Sequence, residues 1–439
     1  MYTVGHGAPS ASAEIVTIGD ELCRGEILDT NAAWLSERLT ALGLHVRWRS
    51  STTDDAADME AALREAAGRA RVVIVSGGLG PTEDDRTVDV ASALLGVAPA
   101  IDEAHRRKME ERFATRGFAV TPNNLRQVRV PSGAEPLANR AGLAPGFAAR
   151  LGEARLFFTP GVPWEMKGIF DEAIAPRLRA LLPGAPVTAK RVWRVAGMGE
   201  SHVDHRLRGL LDGIAGATLH FRIAYPENLV TVVARRPTHA EADAVIARLD
   251  GEVRARLGGA VYGIDGDTLP AVLGGKLRAR GETLATAESC TGGLVGDLLT
   301  DVPGSSDYYL GGVVAYSNAL KRSLLGVPEA VLATDGAVSE ACVRAMVDGV
   351  RRATGATWGI AISGIAGPGG GSEEKPVGTV HFAVGGPAGT EARQLLWPSE
   401  RRMVKQLSAF AALNLLDKLI TPERRDAPES LAATRRERP

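Results

Sequence analysis

The sequence predicts a mixed α/β protein, two three-layer α/β/α domains joined by a small α+β module. Three observations predict it. Short β-branched runs alternate with Ala/Leu/Arg-rich stretches of helical period along most of the chain. Some of those runs, RVVIVSGG (71–78) above all, are apolar without polar alternation, as strands covered by helices on both faces of a parallel sheet must be. The 439 residues allow about three domains at roughly 150 residues each.

The first domain is expected at residues 13–172. EIVTIGD reads as a strand, TNAAWLSERLTALG as a helix closed by Gly43, and LHVRWRS as a strand. DDAADMEAALREAAGRA follows as a helix with Ala, Leu and Met on one face, before the apolar run just quoted. Residues 173–258 change character: helix, strand, helix, a hairpin over ATLHFRIAYPENLVTVVARR, then a helix begun by Thr238 and Glu241 at capping-box spacing. The order is loosely that of a KH module, but the GxxG loop that would clamp nucleotides is absent, and a spacer or dimerisation role is the plainer alternative. From 262 to 422 the α/β alternation resumes and ends in a long helix over SERRMVKQLSAFAALNLLDKL. Residues 1–12 and 423–439 are Gly/Ala/Ser-rich or Arg/Glu-rich, with few apolar residues, and are expected to be disordered.

Lys+Arg 51 against Asp+Glu 52 leaves a net charge of -1, which speaks against a protein that grips nucleic acid through its phosphates. Three cysteines (Cys23, Cys290, Cys342), with no C-x-x-C pair, give neither a disulfide framework nor a zinc site. No stretch reads as a signal peptide and none reaches the ~18 apolar residues of a membrane span, so a cytoplasmic protein without a membrane partner is expected. The P-loop, the dinucleotide fingerprint, the G-x-S-x-G elbow and H-E-x-x-H are all missing.

Three loop clusters remain, each at the C-terminal end of an expected parallel strand, where open α/β sheets take ligands. In VSGGLGPTEDDRT (75–87), Gly77, Gly78 and Gly80 let backbone approach a phosphate, and Glu83, Asp84 and Asp85 follow as hard oxygen donors for a divalent cation. The plainer alternative is acids offsetting a helix dipole. Asp20-Glu21, after the first strand, is expected to line the same crevice. In AESCTGGL (287–294) a strand gives way to a helix, placing Ser289, Cys290 and Thr291 beside unpaired backbone N–H groups that suit an oxyanion or phosphate. Ser289 or Thr291 as a simple N-cap, and Cys290 as nucleophile or as inert packing, all stay open on spacing alone. In GGVVAYSNALK (311–321), Ser317 or Asn318 reads as an N-cap, which sets Lys321 near the positive end of a helix, where its pKa should fall and a free amine could take a proton from a serine hydroxyl. A surface lysine is the alternative. A long Gly-rich stretch, ISGIAGPGGGSEEKPVGTV (362–380), supplies further backbone N–H groups for an anionic substrate.

GDELCRGEILDTN, GGLGPTEDDRT, TPGVPWEMK, AESCTGG, YSNALK and SGIAGPGGGSEEKPVGTV, in this order, resemble the CinA family over nearly the whole chain. The resemblance implies an N-terminal domain similar to molybdopterin-binding (MogA/MoeA-like) folds, with ADP-ribose pyrophosphatase activity dependent on a divalent metal ion (Mg, Mn or Co). It also implies a C-terminal domain like nicotinamide mononucleotide (NMN) deamidase, which needs no cofactor and works in pyridine nucleotide recycling. Matched position by position, Ser289 is the implied nucleophile and Lys321 its base. Tyr316, Ser306 in the G-S-S loop, and Ser363 with Gly364 match residues that orient this pair or bind substrate, and Arg401 matches a phosphate-binding arginine. Thr291, Gly292 and Gly293 are expected to steady the oxyanion. Thr82, Asp84 and Asp85, with Asp20, fall on the implied metal and pyrophosphate loop. Leu143 in AGLAPGF stands where the family pattern leads one to expect Thr. A homodimer is expected and a nucleic-acid partner is not. The alternative reading is a pterin- or nucleotide-binding adaptor linked to competence or DNA damage, without catalysis.

Overall fold

The structure, a computed structural model, describes residues 12–421 except Pro183 and Ala185, so the tails expected to be disordered lie outside the described residues apart from Ser12, which opens the first strand. The chain divides into two compact units, one formed by residues up to Ala189 with Ala234–Ala244, the other by Lys190–Val233 with Val245 onward. No helix among the described residues is long and apolar enough to cross a membrane.

In the first unit, strands β1 (Ser12–Ile18), β2 (His45–Thr52), β3 (Val72–Ser76), β6 (Glu135–Leu137), β7 (Gly146–Leu151) and β8 (Ala154–Thr159) form one sheet of order β2-β1-β3-β8-β7-β6. The first four in that order run parallel, and β7 and β6 turn antiparallel. A separate pair joins β4 (Pro99–Ile101) to β5 (Arg129–Pro131). β3 reads VVIVS and is buried at every position, because helices pack on both of its faces. Val73 and Val75 join one core with Met59 and Leu63, while Val72 and Ile74 join the other with Leu35 and Leu39. The helices Thr30–Ala41 and Ala56–Arg69 start where Asp29 and Asp55 cap them.

The helical stretch Pro163–Leu181 belongs to this unit, since Met166, Ile169, Phe170, Ile174 and Leu178 fill its core. The first domain therefore runs about ten residues past the expected boundary at 172. An apolar face that needs a sheet to cover it outweighs the change in composition there.

The module that follows contains β9 (Val187–Val195), β10 (Ala217–Ala224), β11 (Glu227–Arg236) and β12 (Val261–Ile264) in the order β10-β11-β9-β12. Strand β12 pairs antiparallel with β9, so Tyr262 belongs to this sheet rather than opening the third domain.

The third domain carries β13 (Leu284–Glu288), β14 (Tyr309–Val314), β15 (Trp358–Gly364), β16 (Thr379–Gly386) and β17 (Gly389–Leu396), ordered β14-β13-β15-β16-β17. β14, β13 and β15 are parallel, whereas β16 and β17 are antiparallel additions. One face of the sheet packs on Leu273, Leu277, Leu299, Leu413 and Leu416, the other on Val343, Met346, Val347 and Val350. With helices on both faces this is the expected three-layer arrangement.

Candidate functional site

At the C-terminal edge of β13 the chain leaves the sheet as Ser289, whose N–H donates to Ile362 O (2.9 Å) and so places it beside Ser363 of β15. A turn over 290–293 follows, with Gly292 and Gly293 at φ +64° and +97°, before the helix Leu294–Thr300 begins. That helix starts later than its residue pattern suggests. Its N-cap is Gly293 without a side-chain cap, so neither Ser289 nor Thr291 is spent in capping.

Lys321 comes from the neighbouring strand's exit. After β14, Ser317 caps the helix Asn318–Leu325 by accepting from Leu320 N–H (3.2 Å), and Lys321 follows in the first turn on the helix's buried side. Its Nζ lies 2.9 Å from Ser289 Oγ and 2.8 Å from Ala315 O. Lys321 is 1% exposed and Ser289 8%. Burial holds the Lys321 pKa below the ordinary lysine value, and its titratable neighbours are the Cys342 and Cys290 thiols rather than carboxylates. A neutral amine can keep one N–H on Ala315 O and accept the Ser289 hydroxyl proton with its lone pair. Cys290 is a poor rival nucleophile, since burial pushes its thiol up to about 11 and little thiolate exists at neutral pH.

The expected oxyanion donors need correction. Gly293 N–H donates to Glu288 Oε2 (3.0 Å), as does Val295 N–H (3.1 Å), and Gly296 N–H donates to Glu288 Oε1 (3.0 Å). Gly292 N–H goes to Ser289 O (3.1 Å). Of the expected donors, Gly293 is thus taken by a buried carboxylate one residue before the nucleophile and Gly292 by Ser289 O, so Thr291 N–H remains, with Cys290 N–H beside it; among the described residues neither has an acceptor in another residue. Thr291 is fully buried and its hydroxyl has no partner among the described residues.

Other expected residues gather around this pair. Tyr316 OH accepts from Arg401 Nη2 (2.8 Å), and Arg401 Nη1 donates to Gly367 O (2.7 Å), so Arg401 links Tyr316 to the Gly-rich loop. Ser363 is buried, donates to Ala337 O (2.7 Å), and pairs across the sheet with His381 of β16. Gly364 admits no side chain, because a Cβ there would lie 2.9 Å from Thr379 O. Ser306 is not brought together with them. It sits exposed on the short 3-10 turn Ser305–Asp307 before β14, at the opposite edge of the sheet from Ser289. Sequence reasoning missed Glu288 and His381, the one quoted within a motif without a role, the other hidden in an apolar run.

In the first unit, Gly77 and Gly78 adopt φ +126° and +64°, and a Cβ would lie 2.3 Å from Ile18 O and 2.2 Å from Thr87 Oγ1. Gly80 is closed off by Asp85, whose Oδ2 also accepts Thr82 N–H (2.8 Å) and Thr82 Oγ1 (2.5 Å). The Asp85 carboxylate thus stabilises its own loop. Asp20 accepts from Asp54 N–H (3.1 Å) and Arg24 Nη1 (2.8 Å), while Asp84 is exposed. Asp54 is the missed member of this group: burial first, then the charges of Asp20, Glu21 and Asp84, hold its carboxyl above the usual range. No three His, Cys, Asp or Glu donors among the described residues are arranged to hold a metal ion. The expected Asp84, Asp85 and Asp20 set does not fit a cation as it stands, since one carboxylate is spent inside its loop and another is bonded to an arginine. Leu143 is half-buried in the turn before β7.

Comparison with known proteins adds the following. Residues 266–420 match the family model for the CinA C-terminal domain, residues 14–180 that for a "Probable molybdopterin binding domain", and residues 190–263 that for the damage-inducible protein CinA KH domain. The chain is 49% identical over 405 residues to a CinA-like protein of Anaeromyxobacter sp. (strain Fw109-5), covering 92% of this chain and 98% of that one. To a CinA-like protein of Myxococcus xanthus it is 42% identical over 407 residues, covering 92% and 97%. The crystal structure of a competence/damage inducible protein from Agrobacterium tumefaciens aligns with 35% of this chain and 94% of its own, at 37% identity and a TM-score of 0.34.

Proposed function

Because the chain belongs to the CinA family, we propose that its third domain is an amidohydrolase that converts NMN to nicotinate mononucleotide and ammonia. The contact between Lys321 Nζ and Ser289 Oγ, buried and without a neighbouring carboxylate, carries this reading. Lys321 takes the hydroxyl proton as Ser289 Oγ bonds to the carboxamide carbon, and the carbonyl oxygen becomes an oxyanion facing the Cys290 and Thr291 amides. The C–N bond then breaks, with the Lys321 proton passing to the departing nitrogen to give ammonia and an acyl-serine. Water attacks the acyl carbon as Lys321 takes a proton from it, and the proton returns to Ser289 Oγ when the carboxylate leaves. Arg401, beside the Gly-rich loop, suits the substrate's phosphate. Ammonia release from NMN by the full chain tests this, with activity retained in EDTA because no step uses a metal.

For the N-terminal domain we propose ADP-ribose hydrolysis to AMP and ribose 5-phosphate. Support comes from glycines that no side chain can replace, next to Asp54 and the acids whose charges raise it. Turnover of ADP-ribose with and without added Mg, Mn or Co ions is the test. The alternative of a pterin-binding adaptor predicts binding of a pterin without turnover of either nucleotide.

A further inference from the structure

Glu288 is 1% exposed, yet among the described residues no lysine, arginine or histidine is paired with it. Its carboxylate instead accepts three backbone N–H groups at the start of the helix Leu294–Thr300, at 3.0, 3.1 and 3.0 Å. Such charge-assisted bonds to fixed amides are among the stronger ones a protein makes, and removing their acceptor would strand three donors, that of Val295 buried and those of Gly293 and Gly296 half-buried. The same residue is tied to the base. Its backbone O accepts from Ala315 N–H (2.8 Å), and Ala315 O accepts from Lys321 Nζ (2.8 Å), which reaches Ser289 Oγ. Ser289, the turn after it and the strand exit that leads to Lys321 are thus all anchored on one residue.

We propose that Glu288 is a positioning residue of the Ser289 site. By filling the helix start from inside the protein, its carboxylate fixes the turn 290–293 so that only the Cys290 and Thr291 amides face the reacting carbonyl. It thereby also excludes the substrate's phosphate from that helix end. The anionic end of the substrate is then directed to the opposite wall, where Arg401 meets Tyr316 OH and Gly367 O. This rests on the deamidase reading of the same site, so its test includes a readout that does not need NMN: the rate at which a fluorophosphonate labels Ser289, followed by intact mass.

In the full chain, Glu288→Gln keeps the shape but presents an amide NH₂ to backbone donors, whereas Glu288→Ala empties the space. Glu288→Gln is expected to lower both kcat and the labelling rate about 100-fold, the scale of a lost oxyanion donor, with KM for NMN within about threefold of wild type. Glu288→Ala is expected to be slower still and to regain at least about tenfold in added formate, a carboxylate small enough for the vacated space, while Ser289→Ala regains nothing. Wild-type rates in Glu288→Gln, a loss confined to KM, or a folded Glu288→Ala without recovery in formate would each overturn the proposal. If Glu288→Ala does not fold, Glu288→Gln decides alone. If the wild-type chain labels but does not turn over NMN, the deamidase reading fails while the labelling rates still judge Glu288.

Discussion

Lys321 Nζ lies 2.9 Å from Ser289 Oγ, and the two side chains reach each other from the exits of adjacent parallel strands. Among the described residues no carboxylate sits beside the amine to hold its proton, and burial outweighs the Cys342 and Cys290 thiols, so the protein itself favours the form that can act as a base.

Loss of either partner should therefore remove the reaction rather than weaken it. Ser289→Ala and Lys321→Ala are each expected to lower kcat for NMN deamidation by about 10⁴-fold or more, with little further loss in the double variant, because the two groups act as one unit. Cys290→Ala should stay within about threefold, since its thiol is held protonated. Ammonia release from the three variants is the measurement, and an inactive Cys290→Ala beside an active Ser289→Ala would reverse the assignment.

The pH dependence has a definite sign. Burial places the folded-state pKa of Lys321 below the unfolded value near 10.5, so the unfolded chain binds the proton more tightly over the window between them. Activity should rise with pH as the amine loses its proton, with a midpoint below 10.5. Stability should rise through the same window. Lys321→Met should accordingly be more stable than wild type at pH 7, by about 1–4 kcal/mol as for other buried charges replaced by apolar groups, and the difference should shrink toward pH 10.5. Thermal unfolding of both proteins across this range checks it.

The alternation of elements, the Gly stops and the three loop clusters were legible in the chain because each is local. An N-cap at Ser317 or Asn318 and Lys321 near the start of the helix follow from spacing within a few residues, and the cap is Ser317. What depends on three-dimensional competition was not legible. Of the expected donors Thr291, Gly292 and Gly293, the Gly293 amide goes to Glu288 and the Gly292 amide to Ser289 O. Asp85 looked like a metal ligand until it was seen to hold Thr82. Ser306 is only seventeen residues from Ser289, yet β13 and β14 run parallel, so the serine before one strand and the serine after the other lie at opposite edges of the sheet.

His381 should make the third domain sensitive to acid. Burial, and then the charge of Lys375, hold its pKa below the ordinary histidine value, with Glu340 opposing them. The unfolded chain therefore binds the proton first as pH falls below about 6.5, and stability is lost from there down to the folded-state pKa, below which the loss is constant. His381→Phe should flatten that part of the profile while leaving stability near pH 8 within about 1.5 kcal/mol of wild type, as for core replacements of similar volume. Unfolding midpoints between pH 4.5 and 8 test it, and an unchanged slope in the variant would place the acid sensitivity elsewhere.

Asp54 gives the first unit the opposite slope. Its folded-state pKa is raised, by burial first and then by the charges of Asp20, Glu21 and Asp84, so its contribution is present at low pH and lost as pH rises through that value. Its ionised form is set among the like charges of Asp20, Glu21 and Asp84, with its Oδ2 accepting Asp20 N–H (2.9 Å). Asp54→Asn keeps that acceptor and removes the repulsion, so this unit should unfold at a higher temperature or denaturant concentration than wild type at pH 7, with the difference vanishing toward low pH. If the acids around Asp54 serve ADP-ribose hydrolysis, the same variant should lose that activity while NMN deamidation is unchanged. Stabilisation together with full ADP-ribose turnover would show the cluster to be mere crowding of charge, and the N-terminal reading would then rest on the glycine loop alone.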